Sequence, residues 1–339
     1  MLRNMNQWLM DTIGAKEKQP VPVLSFPAIQ LLDIMVKDLI ASSDMQAQGM
    51  AAVAKRVSAG ASVSLMDLSV EAECFGSEIL VYEDEVPAVT GSIVSTQQQA
   101  EALRVPEVGE GRTGIYVEAL KKALTMIEDR PVFAGVIGPY SLAGRLLDVT
   151  EAMIYCYDEP EMVHTVMRKT TDFLIAYIME YKKAGANGVV MAEPLTGLLS
   201  PALAEEFSCA YVKEIIEAVE DENFIVIYHN CGGGTVAMIK EILATGAKAM
   251  HFGDAVDMEE MMRHIPGDRL AMGNISPSGE FRNGTPASMR ETVHTLLSQC
   301  AKYPNFVISS GCDIPPLSPW ENIDAFFAAV REFYETGEN

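Results

Sequence analysis

Short apolar runs recur along the chain and alternate with stretches of helical spacing. The runs are rich in β-branched and aromatic residues, and each ends abruptly at a glycine, a proline or a polar residue, which is typical of buried strands. The predicted strands are Pro20–Phe26, Ala61–Met66, Pro131–Ile137, Gly188–Ala192, Phe224–Tyr228, Ala249–Phe252, Leu270–Gly273 and Phe306–Ser309. Helical segments are predicted over 28–57, 114–129, 141–147, 159–184, 201–219, 236–243, 258–264, 286–301 and 319–334. Eight such units predict an α/β fold of the (β/α)8 TIM barrel type with a parallel sheet.

The chain divides into a short extension and one domain. Residues 1–20 are polar and predict a helix and a loop over one end of the fold, whereas residues 21–339 carry the barrel pattern. Residues 71–110 are less regular, and there we expect an extended excursion followed by a short helix near 97–103. The expected organisation is therefore a single-domain barrel with an N-terminal helical extension.

Composition narrows the class of protein. The 339 residues are 49% hydrophobic and 21% charged, which suits a globular domain, and no apolar run is long enough to span a bilayer. The six cysteines are scattered and the first residues lack the apolar core of a signal peptide, so we expect a cytoplasmic protein. The formal net charge of −22 argues against nucleic acid and anionic membrane as partners, because phosphate binding needs a basic surface.

Polar and chemically active residues follow most of the predicted strands. They are Asp67, Glu193, His229, Cys231, Asp254, Asn274 and Cys312. In a (β/α)8 barrel the active site is built at the carboxyl ends of the strands, so these side chains are expected to share one face.

His229, Cys231 and Cys312 form the strongest candidate site. Side chains alternate along an extended chain, so His229 and Cys231 point the same way at the end of the fifth predicted strand. The following Gly232-Gly-Gly234 lets the chain turn away, and Cys312 lies just beyond the eighth predicted strand. A Cys₂His set with one open position is the pattern of catalytic zinc. The alternative is that these cysteines are small buried hydrophobic residues.

Several motifs carry a resemblance to a known family. They are Asp67-Leu-Ser-Val-Glu-Ala-Glu73, Gly138-Pro-Tyr-Ser-Leu-Ala143, Glu193-Pro-Leu-Thr-Gly-Leu-Leu-Ser-Pro201, His229-Asn-Cys-Gly232, Gly273-Asn-Ile-Ser-Pro277 and Gly311-Cys-Asp-Ile-Pro-Pro316. The chain resembles the uroporphyrinogen decarboxylase superfamily over most of its length. Within it, the His-x-Cys … Cys set resembles the cobalamin-dependent methyltransferases that move a methyl group from a methyl-corrinoid protein to a thiol.

The resemblance implies a cofactor, a substrate and partners. Zn²⁺ would be held by His229, Cys231 and Cys312, with Asp254 as a displaceable fourth ligand and Glu193 as the next candidate. The methyl donor would be methylcobalamin or another corrinoid on a separate corrinoid protein, and the acceptor a small thiol such as coenzyme M, with homocysteine or a pterin left open.

The decarboxylases of the same superfamily offer the alternative reading. They resemble one another in an arginine-rich N-terminal segment that grips the propionates of an acidic porphyrinogen, whereas the matching stretch here, Lys16 to Leu32, contains no arginine. Decarboxylation of a tetrapyrrole is therefore the second hypothesis. A non-catalytic corrinoid- or tetrapyrrole-binding protein on the same scaffold is the third.

Other polar residues near the strand ends have weaker assignments. Asp67, with Glu71 and Glu73, either lines the barrel mouth or caps the next helix. Tyr140 is expected to close over a bound cofactor, and Asn274 either contacts it or satisfies the loop backbone. His251, inside the sixth predicted strand, is expected to be a packed barrel residue close enough to support a metal ligand.

Overall fold

A curled parallel sheet forms the centre of the computed structural model, which describes residues 3–336. Its strands run side by side in the order β1, β4, β5, β6, β7, β8 and β9, and every neighbouring pair is parallel. Their bounds are β1 Ser62–Val63, β4 Val132–Ile137, β5 Gly188–Ala192, β6 Ile225–Asn230, β7 Ala249–Phe252, β8 Leu270–Ile275 and β9 Phe306–Ser310. The predicted barrel architecture is confirmed, with strand bounds within a few residues of those expected.

An irregular extended segment completes the cylinder between β9 and β1. Val21 N donates to the carbonyl oxygen of Ile308 at 3.1 Å, and Gly60 N donates to that of Pro20 at 2.9 Å. This segment was predicted as a full strand, Pro20–Phe26, and that prediction was wrong in its regularity. Pro20 and Pro22 lack the backbone N–H that a ladder needs, so the segment pairs only at alternate points.

Helices surround the sheet and connect its strands. The α-helices are α1 Met5–Gly14, α2 Ala28–Leu32, α3 Val36–Ile40, α4 Ser43–Arg56, α5 Val70–Cys74, α6 Gln97–Ala102, α7 Thr113–Ala123, α8 Pro139–Leu147, α9 Val149–Asp158, α10 Pro160–Ala184, α11 Pro201–Ala204, α12 Ala210–Val219, α13 Ile239–Ala244, α14 Met258–Met262, α15 Pro286–Cys300 and α16 Trp320–Thr336. Single turns of 3₁₀ or π type occupy Pro194–Leu198, Glu205–Cys209, Thr235–Met238 and Pro277–Arg282. In the part of the chain that the structure covers, no helix has both the length and the apolar character needed to cross a bilayer.

The irregular stretch between α5 and α7 contains a small antiparallel hairpin. Its strands are β2 Glu78–Leu80 and β3 Ala88–Thr90, and α6 follows them. The expected extended excursion and short helix are therefore present. The loop of the hairpin brings Glu85 and Val86 to the rim of the barrel.

The apolar core lies in two layers, one inside the barrel and one between the sheet and the helices. Alternation along β6 separates them: Ile225 and Ile227 belong to the inner cluster, and Val226 and Tyr228 to the outer one. The same alternation directs the next residue, His229, into the barrel. The inner cluster thus forms an apolar floor beneath the polar residues at the strand ends.

Helix α1 closes the opposite end of the barrel. Met5 and Leu9 are buried in the inner cluster, and the ring of Trp8 lies 5.7 Å from that of Phe133 near the start of β4. Met5 N also donates to the carbonyl oxygen of Glu222, just before β6. The expected N-terminal helix is present and covers the amino ends of the strands.

The packing of α1 predicts a specific loss of stability. Leu9→Ala should lower the free energy of unfolding by about 2–4 kcal/mol, because a buried leucine is removed and a cavity remains. Met10→Ala, the matched change at an exposed position of the same helix, should stay within about 0.5 kcal/mol of wild type. Urea unfolding followed by circular dichroism measures both, and equal effects would contradict the assigned packing.

Candidate functional site

A chain of hydrogen bonds crosses the inner wall at the carboxyl ends of three strands. His229 Nδ1 lies 2.7 Å from His251 Nδ1, and His251 Nε2 lies 2.8 Å from Ser309 Oγ. Ser309 Oγ donates in turn to the carbonyl oxygen of Val21 at 2.7 Å. All three side chains are buried. The expectation that His251 is a packed residue beside His229 is confirmed.

The direction of this chain fixes the tautomer of both histidines. Ser309 has one hydroxyl proton, which goes to Val21, so its oxygen accepts from His251 Nε2–H. Burial lowers the pKa of both imidazoles, that of His229 to about 4, so both rings are neutral. His251 Nδ1 therefore accepts from His229 Nδ1–H. The remaining ring nitrogen, His229 Nε2, carries a lone pair, is buried, and meets no hydrogen-bonding partner among residues 3–336.

The loops after β6, β7 and β9 bring two thiols and a carboxylate together. A Cβ placed on Gly253 would lie 2.4 Å from Cys231 Cβ, and one on Gly311 would lie 2.6 Å from the backbone nitrogen of Asp254. Glycine is thus required at both contacts. Burial, together with the nearby Cys231, Asp313 and Asp254, raises the pKa of the Cys312 thiol to about 12. Burial and then Asp254 also raise the pKa of Cys231.

The side chains of this region have donor types that suit a metal ion, but they do not converge on one point. In the conformations seen, no three histidine, cysteine, aspartate or glutamate side chains between residues 3 and 336 are arranged to hold a metal ion. The donor types nevertheless suit zinc, and His229 Nε2 is a buried lone pair without a partner. By donor type, His229, Cys231, Cys312 and Asp254 are the residues that would suit a zinc ion.

Glu193 was expected to be a catalytic group at the barrel mouth, but its side chain lies elsewhere. It points out of the barrel toward α8, as its position next to the inward-facing Ala192 requires. Its carboxylate accepts from Tyr140 N at 2.7 Å, Ser141 N at 3.1 Å, Ser141 Oγ at 2.9 Å and Thr196 Oγ1 at 3.1 Å. Glu193 thus caps the amino end of α8. Burial raises its pKa to about 7, although these donors favour the ionised form.

Asp67 is held in a network of donors at the end of β1. Its Oδ1 accepts from Ser69 Oγ at 2.6 Å, and its Oδ2 accepts from Arg112 Nη1 at 2.5 Å and from Tyr116 Oη at 2.7 Å. Arg112 also donates from Nε to Glu73 at 2.6 Å. Arg112 had no sequence signal, because it lies in a loop 45 residues from Asp67. Both Asp67 and Arg112 are fully occupied by each other and their neighbours.

Two residues expected to contact a cofactor have mainly internal partners. The Tyr140 ring is buried in the outer core and its hydroxyl lies 3.6 Å from Cys156 Sγ, so it does not face the barrel mouth. Asn274 Nδ2 donates to the carbonyl oxygens of Gly253 at 2.9 Å and Val256 at 2.6 Å, which ties β8 to the loop after β7. Asn274 therefore satisfies the loop backbone, which is one of the two roles expected of it.

Glu71 is a second buried carboxyl near this network. Its Oε1 accepts from Ile137 N at 3.1 Å, whereas its Oε2 has no hydrogen-bonding partner in the described part of the chain. Burial raises its pKa from the ordinary 4.5 to about 7. Glu71 is buried and so does not line the mouth, and it lies in the first turn of α5, the helix that it was expected to cap.

Comparison with known proteins gives the family and the fold. A family model described as uroporphyrinogen decarboxylase (URO-D) matches residues 23–333. A uroporphyrinogen decarboxylase of Flavobacterium johnsoniae is 27% identical over 289 residues, covering 82% of each chain. The methylcobamide:CoM methyltransferase MtbA of Methanosarcina acetivorans is 24% identical over 272 residues, covering 79% of this chain and 78% of the relative. A methyltransferase structure from Methanosarcina mazei superimposes with a TM-score of 0.84 at 21% identity, covering 98% of this chain and 99% of that one, and so shares the fold.

The barrel brings its strand-end residues to the carboxyl face, where enzymes of the (β/α)8 class build their active sites. The chain belongs to the uroporphyrinogen decarboxylase (URO-D) family, and its relatives include both decarboxylases and methyltransferases.

The buried state of Glu71 predicts a pH-dependent difference in stability. Because its folded pKa lies above the unfolded one, its contribution is fully present below about pH 4.5 and is lost as pH rises through about 7. Glu71→Gln has no charge to bury, so its advantage over wild type should grow across that window to roughly 3 kcal/mol. Urea unfolding at a series of pH values measures this difference. The exposed change Glu78→Gln is the control, and a Glu71→Gln curve parallel to wild type would contradict the assignment.

Proposed function

We propose that this protein is a zinc-dependent methyltransferase that moves a methyl group from a protein-bound methyl-corrinoid to a small thiol. The observation that carries the proposal is the buried, unshared lone pair on His229 Nε2, which no residue of the described chain satisfies. Two thiols, Cys231 and Cys312, belong to adjoining strand-end loops. The similarity to the methyltransferase MtbA supports the same proposal, and a methyltransferase from Methanosarcina mazei shares the fold.

His229, Cys231 and Cys312 would hold the zinc ion, and Asp254 would be the exchangeable fourth ligand. Bound zinc would favour the thiolate form of the acceptor at neutral pH, which supplies the nucleophile. The acceptor sulfur forms a bond to the methyl carbon as the cobalt–carbon bond breaks, and the bonding electron pair stays on the cobalt of the corrinoid substrate.

The residues around the site have supporting roles that do not depend on the chemistry itself. His251 holds the proton on His229 Nδ1 and so keeps Nε2 as the electron-pair donor. The apolar floor of Ile227 and Ala249 keeps water from the inner side of the imidazoles. Exposed Asp254 is accessible at the mouth, where exchange of one ligand for an incoming thiol would take place.

Decarboxylation of a tetrapyrrole is the second candidate, favoured by the names of many relatives. A substrate with eight carboxylates needs several free cations, yet Arg112 is already neutralised by Asp67 and Glu73. The stretch Lys16 to Leu32 contains no arginine. Methyl transfer therefore fits the charge of this site better than decarboxylation does. A non-catalytic binding protein would also fit the charge, but it would not explain the free imidazole nitrogen of His229.

Metal content tests the zinc assignment directly. Wild-type protein should contain about one zinc per chain by elemental analysis, since three protein ligands and an open position define a catalytic site. Cys231→Ala and Cys312→Ala should lose it. Cys300→Ala, which alters a cysteine buried in the outer core, should retain it. Zinc-free wild type, prepared without chelators, would contradict the assignment.

The hydrogen bond that His251 accepts from His229 predicts a graded effect on zinc affinity. His251→Leu removes the acceptor for His229 Nδ1–H and should weaken zinc binding roughly 10- to 100-fold. In His251→Gln the amide oxygen can still accept the hydrogen bond from His229 Nδ1–H, so this variant should lose less zinc affinity. Competition with a chromophoric chelator measures both, with thermal unfolding as the check on folding. Equal zinc affinities in both variants and in wild type would show that His251 does not support His229 as a metal ligand.

The reaction itself is tested with free methylcobalamin and a panel of thiols. Wild type should convert methylcobalamin to the cob(I) form, seen by its absorbance, and methylate a thiol, whereas Cys312→Ala should do neither. Turnover of uroporphyrinogen by metal-stripped protein, without thiol methylation, would establish the decarboxylase instead. Ligand binding without either reaction would establish the binding protein.

A further inference from the structure

Arg145 is a cation without a partner at the mouth of the barrel. It lies in the last turn of α8 and is half-buried. Its Nε is buried without a hydrogen-bonding partner, and the guanidinium makes no hydrogen bond or ion pair with any residue of the described chain. Buried guanidinium groups in folded proteins are normally paired. An unpaired one that is open to a cavity therefore points to a ligand.

The cavity beside Arg145 is lined in part by Asp313, the residue that directly follows the candidate metal ligand Cys312. It has a volume of about 280 Å³ and is lined by Arg145, Met66, Asp313 and Pro315, with Glu85 at its rim. Met66 belongs to the inner cluster of the barrel, and Asp313 directly follows Cys312. The cavity thus lies at the edge of the barrel mouth, one residue along the chain from a proposed zinc ligand.

Internal explanations for Arg145 do not account for it. A basic residue in the last turn of a helix often donates to the terminal carbonyl oxygens, but among the residues described Arg145 donates to none. Glu85 and Asp313 line the same cavity, yet neither forms an ion pair with it within 4.0 Å. The nearby Asp67 supports the positive charge of Arg145, but its oxygens are taken by Ser69, Arg112 and Tyr116.

We infer that Arg145 binds the oxyanion end, a sulfonate or a carboxylate, of the acceptor thiol. This inference rests on the proposed function and adds the residue that selects the acceptor. The planar guanidinium suits two parallel hydrogen bonds to such a group. The acceptor's sulfur then extends toward the adjoining Cys312 loop, while its anionic end stays in the cavity.

The charge around the cavity limits the ligand to one oxyanion group. The chain carries a net charge of −22, so an anion gains only from a local cation. Arg145 is the unpaired cation that lines this cavity, and the carboxyl groups of Asp313 and of Glu85 at the exposed rim, which also line it, disfavour a second negative charge. A small thiol with a single anionic end fits this arrangement.

The test compares matched anionic and neutral thiols in the zinc-loaded protein. Mercaptoethanesulfonate and mercaptopropionate are the anionic acceptors, and mercaptoethanol is the neutral one. Arg145→Gln should raise KM for the anionic thiols about 10- to 100-fold, the effect of losing a hydrogen-bonded charge, and leave KM for mercaptoethanol and kcat nearly unchanged. Arg145→Lys should be intermediate, and Arg331→Gln, an exposed arginine on α16, should match wild type.

The outcomes separate the inference from the proposed function. If KM changes equally for anionic and neutral thiols, or for neither, the role of Arg145 is overturned while methyl transfer stands. Binding of ethanesulfonate and of propionate, measured by saturation-transfer NMR, needs no catalysis. Binding that Arg145→Gln abolishes, in a protein that methylates no thiol, would keep the anion site and overturn the proposed function. Absence of binding to wild type would overturn the anion site. Whether ethanesulfonate or propionate binds more tightly shows whether the site prefers a sulfonate or a carboxylate.

Discussion

The arrangement of the site depends on one buried chain of hydrogen bonds, from the carbonyl of Val21 through Ser309 and His251 to His229. It lies above an apolar floor, where a missing partner would cost the full desolvation of a polar group. Val21 belongs to the irregular segment that closes the barrel, so closure and the orientation of the imidazole are coupled. Loss of that contact would let the serine proton turn elsewhere and would free His251 to take the other tautomer. The geometry of the barrel thus sets which nitrogen of His229 is available.

Charge is distributed unevenly at the same face of the barrel. Asp67, Glu73 and Arg112 form a neutralising network in which each group already has its partners, so they shape the mouth without offering a charge to a ligand. Arg145, a short distance along the face, is unpaired. A strongly acidic protein that keeps one half-buried arginine free bears a desolvation cost there, and an anionic ligand would offset it.

The sequence predicts the strands and helices, which local periodicity encodes. It does not predict contacts between residues that are far apart in the chain. Strand ends were predictable because apolar runs stop where the backbone leaves the sheet, and the predicted barrel is confirmed. Glu193 and Tyr140 were expected at the barrel mouth but lie outside it. A shift of one position along a strand decides whether a side chain points into the barrel or out of it, and the sequence alone does not fix that position. The roles of Arg112 and Arg145 were not predictable, because their neighbours come from distant loops and helices. The zinc ligands remain a prediction from spacing, which the free nitrogen of His229 supports.

A shared fold does not decide between the chemistries found in this family, because function lies in the side chains placed on the scaffold. Both decarboxylases and methyltransferases are among the relatives, at similar identity. In this chain the inward-facing positions of β6 and β7 carry two neutral imidazoles, and their hydrogen bond leaves an electron pair, not a proton, on His229 Nε2. A proton donor for a carbanion would need the opposite arrangement, with an N–H at His229 Nε2. The direction of the hydrogen-bond chain therefore favours a role in holding a cation over a role in supplying a proton, and it does so through Ser309, a residue that contacts neither the cation nor the substrate.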